Sequence, residues 1–395
     1  MTRVLDGIRV LEVAEWGFVP SAGTVLGDWG AEVIKVEHPR FGDPIRGLIT
    51  GGLIPGASGR NFIVEQLGRN KRSIGLDLAK PAGRELLDRF VASVDVFLTS
   101  FLDDARERLH LTYDDLRRVN PRLIYARGHG QGQRGPDARR GGYDGVSFWA
   151  RGGIADRLSA TGQPHVTQRP AFGDFIGGAC IAGGVAAALF RRERTGEGCE
   201  VDVSLLGTAV WVLSPDITAA LMYGFMLPSS GDMPRAPNPL VGPYVCADGK
   251  PIVLMMLQVG RFWPHFVETI GRPDLLERFP DPAPEQSDAI REELARHFAT
   301  RPREDWSARL RASTCIWGPL QTPLELPDDP QVQANGYLLD AGSVRLCASP
   351  VQFGGAPPTV RWPAQETGAA TEEVLQELGC SWEEIARWKD AGVIS

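Results

Sequence analysis

The fold is decided near the start of the chain by residues 7–37, GIRVLEVAEWGFVPSAGTVLGDWGAEVIKVE. The apolar run at 7–13 predicts a buried strand, the loop AEWGFVPSAG leads into a helix that ends near Gly30, and residues 31–37 predict the next strand. This order predicts a parallel sheet covered by helices. The fingerprint G-x-G-x-x-G is missing, although Glu37 stands where a ribose-binding acid would, so we expect a β-α-β unit without NAD.

The alternation of strands and helices continues along the chain. Further strands are predicted for RSIGLDL (72–78), DVFLTSF (95–101), PRLIYARG (121–128) and CEVDVSLL (199–206). Helices are predicted at 81–94, around 112–119 and from Asp174 to Arg194. The predicted fold class is therefore α/β, with a Rossmann-like parallel sheet in a large domain.

Two stretches rich in turn residues divide the chain into domains. The first, MLPSSGDMPRAPNPL at 226–240, ends the first part of the large domain, which we place at 1–225. A smaller α+β domain follows at 241–325 and begins with a hairpin that turns at Asp248-Gly249. A returning linker is predicted at 326–345, after which residues 346–395 complete the large domain.

Composition limits the classes of function. The chain has 395 residues and a formal net charge of -7, which argues for two domains and against nucleic-acid or anionic-membrane partners. Its six cysteines form no C-x-x-C pair and its six histidines show no metal-ligand spacing, so we expect no metal. The apolar run Ile176 to Phe190 is short and glycine-rich for a membrane span. With no hydrophobic leader at the start, these features predict a cytoplasmic protein.

The stretch RPAFGDFIGGACIAGG, residues 169–184, places the lone acid Asp174 between two phenylalanines and before a run of small residues. The plainest interpretation is that Asp174 caps a helix that starts there. The alternative is a covalent nucleophile shielded from water by Phe172 and Phe175. In that case, backbone N–H groups of Gly177 and Gly178 are candidate oxyanion donors.

Basic residues cluster at several predicted strand ends. A ligand with a diphosphate and a further phosphate would suit this set, although each residue alone is more often a solvated surface group. The set comprises His38, Arg40, Arg46, Arg69, Lys71, Arg72, Arg106, Arg108 and Arg127. The loop RGHGQGQRGP (127–136) has the glycines to wrap a ligand, but it lacks the ending of a phosphate loop. By themselves, His129 suggests a structural histidine and Asp144 a turn residue.

Several stretches together resemble the class III CoA-transferase family, which includes formyl-CoA transferase and carnitine and bile-acid CoA-transferases. They are LDGIRVLEV, LGDWGAEVIKVEHPRFGD, NKRSIGLDL, NPRLIYARGHGQGQRGP, GGYD, GDFIGGACIAGGVAAALFRRERTGEGCEVDVSLL, DGKPIVL and IGRPDLL. The resemblance implies that Asp174 is the nucleophile and that coenzyme A is bound as a thioester substrate or product. It also implies an interlocked, ring-like homodimer whose active site lies between the large domain of one subunit and the small domain of its partner.

The resemblance also assigns the coenzyme A contacts. They match Gly17, Phe18, His38, Leu76, Asp77, Leu78, Ser100, Phe101, Arg108, Arg127, Gly128, His129 and Gly130. The chain departs from the family pattern at SFLDDA (100–105), where N-F-R-P-G is common, and at His38, where arginine is more usual. The substrates implied are an acyl-CoA and a carboxylic acid. Tyr244, Met255, Met256, Phe262 and Trp263 are candidate walls for a roomy apolar substrate.

Three alternatives stay open. An α-methylacyl-CoA racemase would need a second base, yet its G-H-D motif is Gly142-Tyr143-Asp144 here, and His129 is the obvious substitute. An NAD-dependent oxidoreductase conflicts with the missing fingerprint. A non-catalytic CoA-binding protein would require Asp174 to act only as a helix cap.

Overall fold

A parallel sheet of six strands in the order β3-β2-β1-β4-β5-β6 forms the centre of the large unit. The computed structural model describes residues 3–52 and 60–395. The strands are β1 (Arg9–Val13), β2 (Glu32–Glu37), β3 (Lys71–Gly75), β4 (Val96–Thr99), β5 (Ile124–His129) and β6 (Cys199–Ser204). Strands β1 to β3 are added toward one edge of the sheet and β4 to β6 toward the other, and in such a doubly wound order a crevice opens between β1 and β4. The predicted α/β class with a parallel sheet is confirmed.

Helices cover both faces of this sheet. The first nine are α1 (Phe18–Asp28), α2 (Phe62–Gly68), α3 (Pro81–Ser93), α4 (Asp103–Arg108), α5 (Tyr113–Val119), α6 (Ile154–Leu158), α7 (Phe172–Thr195), α8 (Leu205–Val212) and α9 (Ser214–Tyr223). Strand side chains alternate between two apolar layers, so Leu11 packs in the layer of α3 while Val10 packs in that of α1 and α7. Both faces of the central strands are buried, so their charged residues, such as Glu12, Lys35 and Lys71, lie inside the fold with partners of opposite charge.

The small unit, Met233–Pro330, has a core of its own. It contains the antiparallel strands β7 (Val241–Val245), β8 (Pro251–Met255) and β9 (Trp317–Pro319) and the helices α10 (Val259–Ile270), α11 (Asp274–Arg278), α12 (Ser287–Phe298) and α13 (Arg303–Arg311). Four of the five residues proposed above as substrate walls, Tyr244, Met256, Phe262 and Trp263, are buried in this core, and only Met255 is exposed. These four therefore belong to the core of the small unit, which needs large apolar side chains to fill it.

After the small unit the chain returns to the large one. The remaining elements are α14 (Pro330–Ala334), the hairpin strands β10 (Leu338–Asp340) and β11 (Arg345–Cys347), α15 (Thr371–Glu377) and α16 (Trp382–Asp390). The chain passes between the units at 232–233 and 330–331. The segment 326–345, expected to be a linker, thus contains regular structure.

Helix α7 is long and apolar enough to cross a bilayer by length and composition, and so is the bent pair α8 and α9. The buried face of α7 includes Gly177, Ile181 and Val185 and packs in the layer that covers the sheet. A core helix passes the same test of length and composition, and the packing of α7 is that of a core helix.

Candidate active site

A cavity of about 700 Å³ lies at the carboxyl end of the sheet, in the large unit. Its walls come from the segments that follow β1, β2, β3 and β4 and from the end of β5, which is the crevice expected of this strand order. Most of the coenzyme A contacts implied by sequence line it: Gly17, Phe18, His38, Leu76, Asp77, Leu78, Ser100, Phe101, Arg108, Gly128, His129 and Gly130. Asp174 lies in the same wall.

Arg127 is the exception among those contacts. It is buried and its guanidinium donates to Asp103, which also accepts a hydrogen bond of 2.7 Å from Arg106. It does not line the cavity, because this ion pair holds it against α4. The structure therefore contradicts the placement of Arg127 at the ligand.

Ion pairs within the large unit use most of the other basic residues. The pairs are Arg46 with Glu37, Arg69 with Asp28, Lys71 with Glu12, Arg72 with Glu377 and Arg106 with Asp103. Arg40 and Arg108 make no ion pair to any residue that the structure describes. Arg108 lines the main cavity, while Arg40 lines a second cavity of about 450 Å³ that shares His38 and Asp77 with the first. Of the nine basic residues named from sequence, these two are therefore available to phosphate groups.

Glu37 does not serve as a ribose-binding acid in this arrangement. Its two carboxylate oxygens accept hydrogen bonds from Arg46, and one of them also accepts from the Ser73 hydroxyl. Burial alone would raise the pKa of Glu37, but Arg46, Lys35 and Ser73 hold it at about 2. The side chain is 3% exposed, so it is a structural ion-pair partner.

Asp174 is the third residue of α7 and is half-buried, with its carboxyl in the cavity wall. The helix begins at Phe172 after Ala171, so the interpretation of Asp174 as an N-cap was wrong. Its carboxylate makes no hydrogen bond or ion pair to the described residues. Burial raises the pKa of Asp174 to about 7, and repulsion from Asp144 adds to this shift.

Gly17 provides the space that this carboxyl occupies. A methyl group at Gly17 would overlap Asp174 Oδ2. Gly17 also precedes the first residue of α1, Phe18, so the first-turn N–H groups of that helix, which have no helical partner, lie beside the acid. The sequence signal for this contact was the resemblance, which placed Gly17 at the ligand.

Asp144 holds the start of α7 from a distant part of the chain. Both of its carboxylate oxygens accept from the Gly173 N–H, at 3.1 and 3.0 Å. Because Ala171 offers no capping side chain, Asp144 provides the anionic partner that the free N–H groups of the first turn need. Local sequence indicated only a turn at Asp144 and missed this role.

The glycines proposed as oxyanion donors have another role. Gly177 and Gly178 lie beyond the first turn of α7, where N–H groups are used by the helix, and neither lines the cavity. A side chain at Gly177 would overlap the Phe18 ring, and one at Gly178 would overlap the Ser21 hydroxyl. Their function in this geometry is to let α1 and α7 approach closely.

One further sequence expectation fails at this site, and the structural interpretation of His129 agrees with its contacts. Phe172 and Phe175 do not line the cavity and are 49% and 41% exposed, so in this chain they do not shield Asp174. His129 is held at both ring nitrogens: Nε2 lies 2.8 Å from Asp202, and Nδ1 accepts from the Gly132 N–H. A histidine fixed in this way positions a loop and has no nitrogen free to act as a base.

Backbone strain is concentrated around the acid. In the described part of the chain four non-glycine residues have positive φ, and two of them, Trp16 at 69° and Ala171 at 61°, flank Gly17 and α7. Such conformations persist where surrounding contacts enforce them, and they cluster at functional sites. The cavity wall also contains Glu15, Trp16, Tyr143 and Val146, which sequence reasoning did not single out as ligand contacts.

A conserved sequence pattern matches this chain over residues 5–371, and it is the one that defines the CoA-transferase family III. The chain belongs to CoA-transferase family III. Members of this family act on CoA thioesters, so the main cavity is the candidate site for an acyl-CoA. No group of three or more metal-ligating side chains occurs within 3–52 and 60–395.

Individual relatives cover almost the whole chain. A (R)-2-hydroxy-4-methylpentanoate CoA-transferase from Clostridioides difficile is 31% identical over 99% of this chain and 99% of its own. A human alpha-methylacyl-CoA racemase is 29% identical over 96% of this chain and 95% of its own. The crystal structure of a CAIB/BAIF family protein from Brucella suis matches with a TM-score of 0.81 and 28% identity, over 95% of this chain and 99% of its own.

Proposed function

We propose that this protein is an acyl-CoA:carboxylate CoA-transferase in which Asp174 is the covalent nucleophile. The observation that carries the proposal is a carboxyl in the cavity wall with no partner among the described residues, next to a glycine that leaves room for it. Family membership supports the CoA-transferase class. A carboxylate that no cation neutralises keeps its electron pairs available for attack.

Four steps move coenzyme A without ATP. The Asp174 carboxylate attacks the acyl-CoA carbonyl and the C–S bond breaks, which leaves a mixed anhydride and CoA thiolate. The thiolate attacks the aspartyl carbonyl, so that the donor acid leaves as a carboxylate and an aspartyl-CoA thioester remains. The acceptor carboxylate attacks that thioester and expels the thiolate, giving a second anhydride. The thiolate then attacks its acyl carbonyl and restores Asp174.

Each step develops negative charge on an oxygen beside Asp174. We propose that first-turn N–H groups of α1, from Gly17 and Phe18, stabilise this charge in place of Gly177 and Gly178. Arg108, His38 and Arg40 are proposed to hold the phosphates of coenzyme A, since Arg40 and Arg108 have no competing ion pair in the described structure.

The proposal is tested by trapping the intermediate. Wild-type protein is incubated with an acyl-CoA and then treated with borohydride or hydroxylamine, and the peptide that contains residue 174 is analysed by mass spectrometry. We expect an adduct at Asp174 in the wild type and in Asp144→Asn, and none in Asp174→Asn. Bound CoA with neither adduct nor transfer would identify a non-catalytic CoA-binding protein.

A racemase is the second candidate, supported by the human relative. It needs a base on each side of the α-carbon, yet Tyr143 occupies the histidine position of the G-H-D motif and both nitrogens of His129 are engaged. We therefore expect no deuterium incorporation at the α-carbon of a 2-methylacyl-CoA in D₂O. Incorporation at rates comparable to transfer would favour the racemase.

We also propose an interlocked homodimer located in the cytoplasm. Support for the dimer comes from apolar side chains that are exposed on and after α9, among them Leu221 at 82% and Met222 at 71%. All six cysteines are free, which suits a reducing compartment. Light scattering coupled to size-exclusion chromatography should give twice the mass of one chain, and a monomer would contradict the dimer.

A further inference from the structure

Two aromatic side chains of the cavity wall adjoin, along the chain, residues at the site of Asp174. Trp16 and Tyr143 both line the cavity, and their rings meet edge to face with centroids 5.4 Å apart. Trp16 adjoins Gly17, which contacts the Asp174 carboxyl, and Tyr143 adjoins Asp144, which binds Gly173. The pair therefore joins the two segments that flank the reacting group.

The position of the indole is enforced by its surroundings. Trp16 has φ of 69°, a left-handed conformation that is unfavourable for a residue with a side chain. The backbone N–H of Trp16 donates to Asp43 Oδ1 at 3.1 Å, and Asp43 Oδ2 accepts from Lys35 at 2.8 Å. The N–H of Glu15 donates to Ser100. A loop held at consecutive N–H groups presents its side chain in a fixed direction.

Packing holds Trp16, and backbone hydrogen bonds hold the segment of Tyr143, a residue that is 62% exposed. Trp16 packs against the buried cluster of Ile45, Ile63 and Leu67, which leaves its remaining surface toward the cavity. The Tyr143 carbonyl accepts from the N–H groups of Val146 and Ser147, at 3.0 and 2.8 Å. The wall thus combines an indole fixed by packing with a phenol ring that its backbone and the edge-to-face contact with Trp16 hold in place.

We propose that Trp16 and Tyr143 form the wall on which the acyl group packs, and that this wall selects acyl groups with a branched aliphatic or aromatic substituent over acetyl. This inference rests on the proposed function. The residues expected to hold coenzyme A, such as His38 and Leu76, follow β2 and β3, while α7 packs against β5 and β6 on the other side of β1 and β4. The acyl end of the thioester is therefore the part that reaches the aromatic pair.

The selectivity has a simple physical origin. A branched or aromatic substituent removes apolar surface from water on both rings, whereas an acetyl methyl group is too small to cover them. Each additional methylene in an apolar site is worth about 10-fold to 200-fold in discrimination. Because packing already orders the indole, little of this gain is lost to ordering that side of the wall.

The test uses exchange between an acyl-CoA and its own isotope-labelled acid, which needs no knowledge of the natural substrate pair. The full-length protein is assayed with 4-methylpentanoyl-CoA, 3-phenylpropanoyl-CoA and acetyl-CoA. The variants are Tyr143→Ala, Tyr143→Phe and Trp16→Asn, the last because asparagine tolerates the left-handed backbone. Phe101→Ala, at another wall of the cavity, is the matched control.

We expect the wild type to favour the two larger acyl groups. The ratio of their kcat/KM to that of acetyl-CoA should fall by about tenfold or more in Tyr143→Ala and Trp16→Asn and stay within about threefold of wild type in Tyr143→Phe. Phe101→Ala should lower kcat/KM for all three thioesters alike. An unchanged ratio in both Tyr143→Ala and Trp16→Asn, or an equal loss for all acyl groups, would overturn the proposal that these rings select the acyl group, and it would leave the proposed function standing. No exchange by the wild type with any of the three would overturn the proposed function as well.

Discussion

Two groups of buried or half-buried carboxylates lie at or next to the walls of the same cavity and differ in what surrounds them. In the first group, Asp43 and Glu12 bind Lys35, at 2.8 and 3.1 Å, and Glu37 binds Arg46 at 2.7 Å. In the second group, Asp144 accepts only from polar N–H groups, and Asp174 has no partner in the described structure.

The pKa values follow this difference. Burial opposes charge in both groups, but Arg46 and Lys35 hold the pKa of Glu37 at about 2, while no cation counters burial at Asp174 and its pKa rises to about 7. The first group holds the loops after β1 and β2 in place. The second group retains an acid that is available for chemistry. Burial marks a reactive carboxylate here only when a neutralising partner is missing.

Removal of Lys35 should have the largest effect and would break the first group. Although burial disfavours its charge, Asp43 and Glu12 raise the pKa of Lys35, so Lys35→Met leaves the buried Asp43 without a cation and Glu12 with Lys71 alone. We expect a loss of about 3–5 kcal/mol in the free energy of unfolding, measured with urea. The control is Lys389→Met, which removes an exposed ion pair with Glu372 and should lower the free energy of unfolding by less than about 1 kcal/mol. Equal losses in the two variants would contradict the distinction.

A methyl group at Gly17 tests whether the second group is a reactive site. In Gly17→Ala the methyl would displace the Asp174 carboxyl, so kcat/KM for transfer should fall by about 100-fold. Gly183→Ala is the control, because a Cβ there meets nothing within 4 Å and the site lies on the same helix as Asp174. It should keep full activity and gain about 0.5–1 kcal/mol in stability. Full activity in Gly17→Ala would place the chemistry elsewhere.

The stability cost of the unpaired acid should be visible as a function of pH. Because folding raises the pKa of Asp174 to about 7, the folded state favours the protonated acid, and wild-type stability is lost as pH rises from about 4 to about 7. Asp174→Asn does not titrate, so it should be more stable than wild type by about 1–2 kcal/mol above pH 7, a value reduced from the full shift because the carboxyl borders an open cavity and is partly solvated. The difference should vanish near pH 4 in urea titrations. A gain that is constant with pH would contradict this assignment.

The smallest effect concerns the coupling between the two acids. The proposed mechanism needs ionised Asp174, so kcat/KM should rise with pH around a midpoint of about 7. Asp144→Asn keeps an oxygen for the Gly173 N–H but removes the repelling charge, so the midpoint should move to lower pH. Glu304→Gln, an exposed change in the small unit, should leave the midpoint in place. A midpoint unchanged in Asp144→Asn would show that burial alone sets the acidity.

Much of the architecture could be read from local patterns. The strand-helix-strand order of residues 7–37 predicted a parallel sheet, and Pro81 marked the start of α3. Motifs in this chain also led to the CoA-transferase family, which the pattern match over 5–371 confirms. These features depend on the order of residues along the chain and on periodicity, both of which a sequence contains in full.

The role of each charged or small residue was decided only by tertiary structure. Arg127 is of a residue type that binds phosphate, but its partner in the structure is Asp103, 24 residues away along the chain. Asp144 accepts a hydrogen bond from the Gly173 N–H, 29 residues away. Gly177 and Gly178 suggested oxyanion donors but let two helices approach, whereas Gly17 faces the acid. Composition and periodicity alone do not specify which residues meet across the crevice. That pairing decides which acid remains unpaired and which aromatic rings stand beside it.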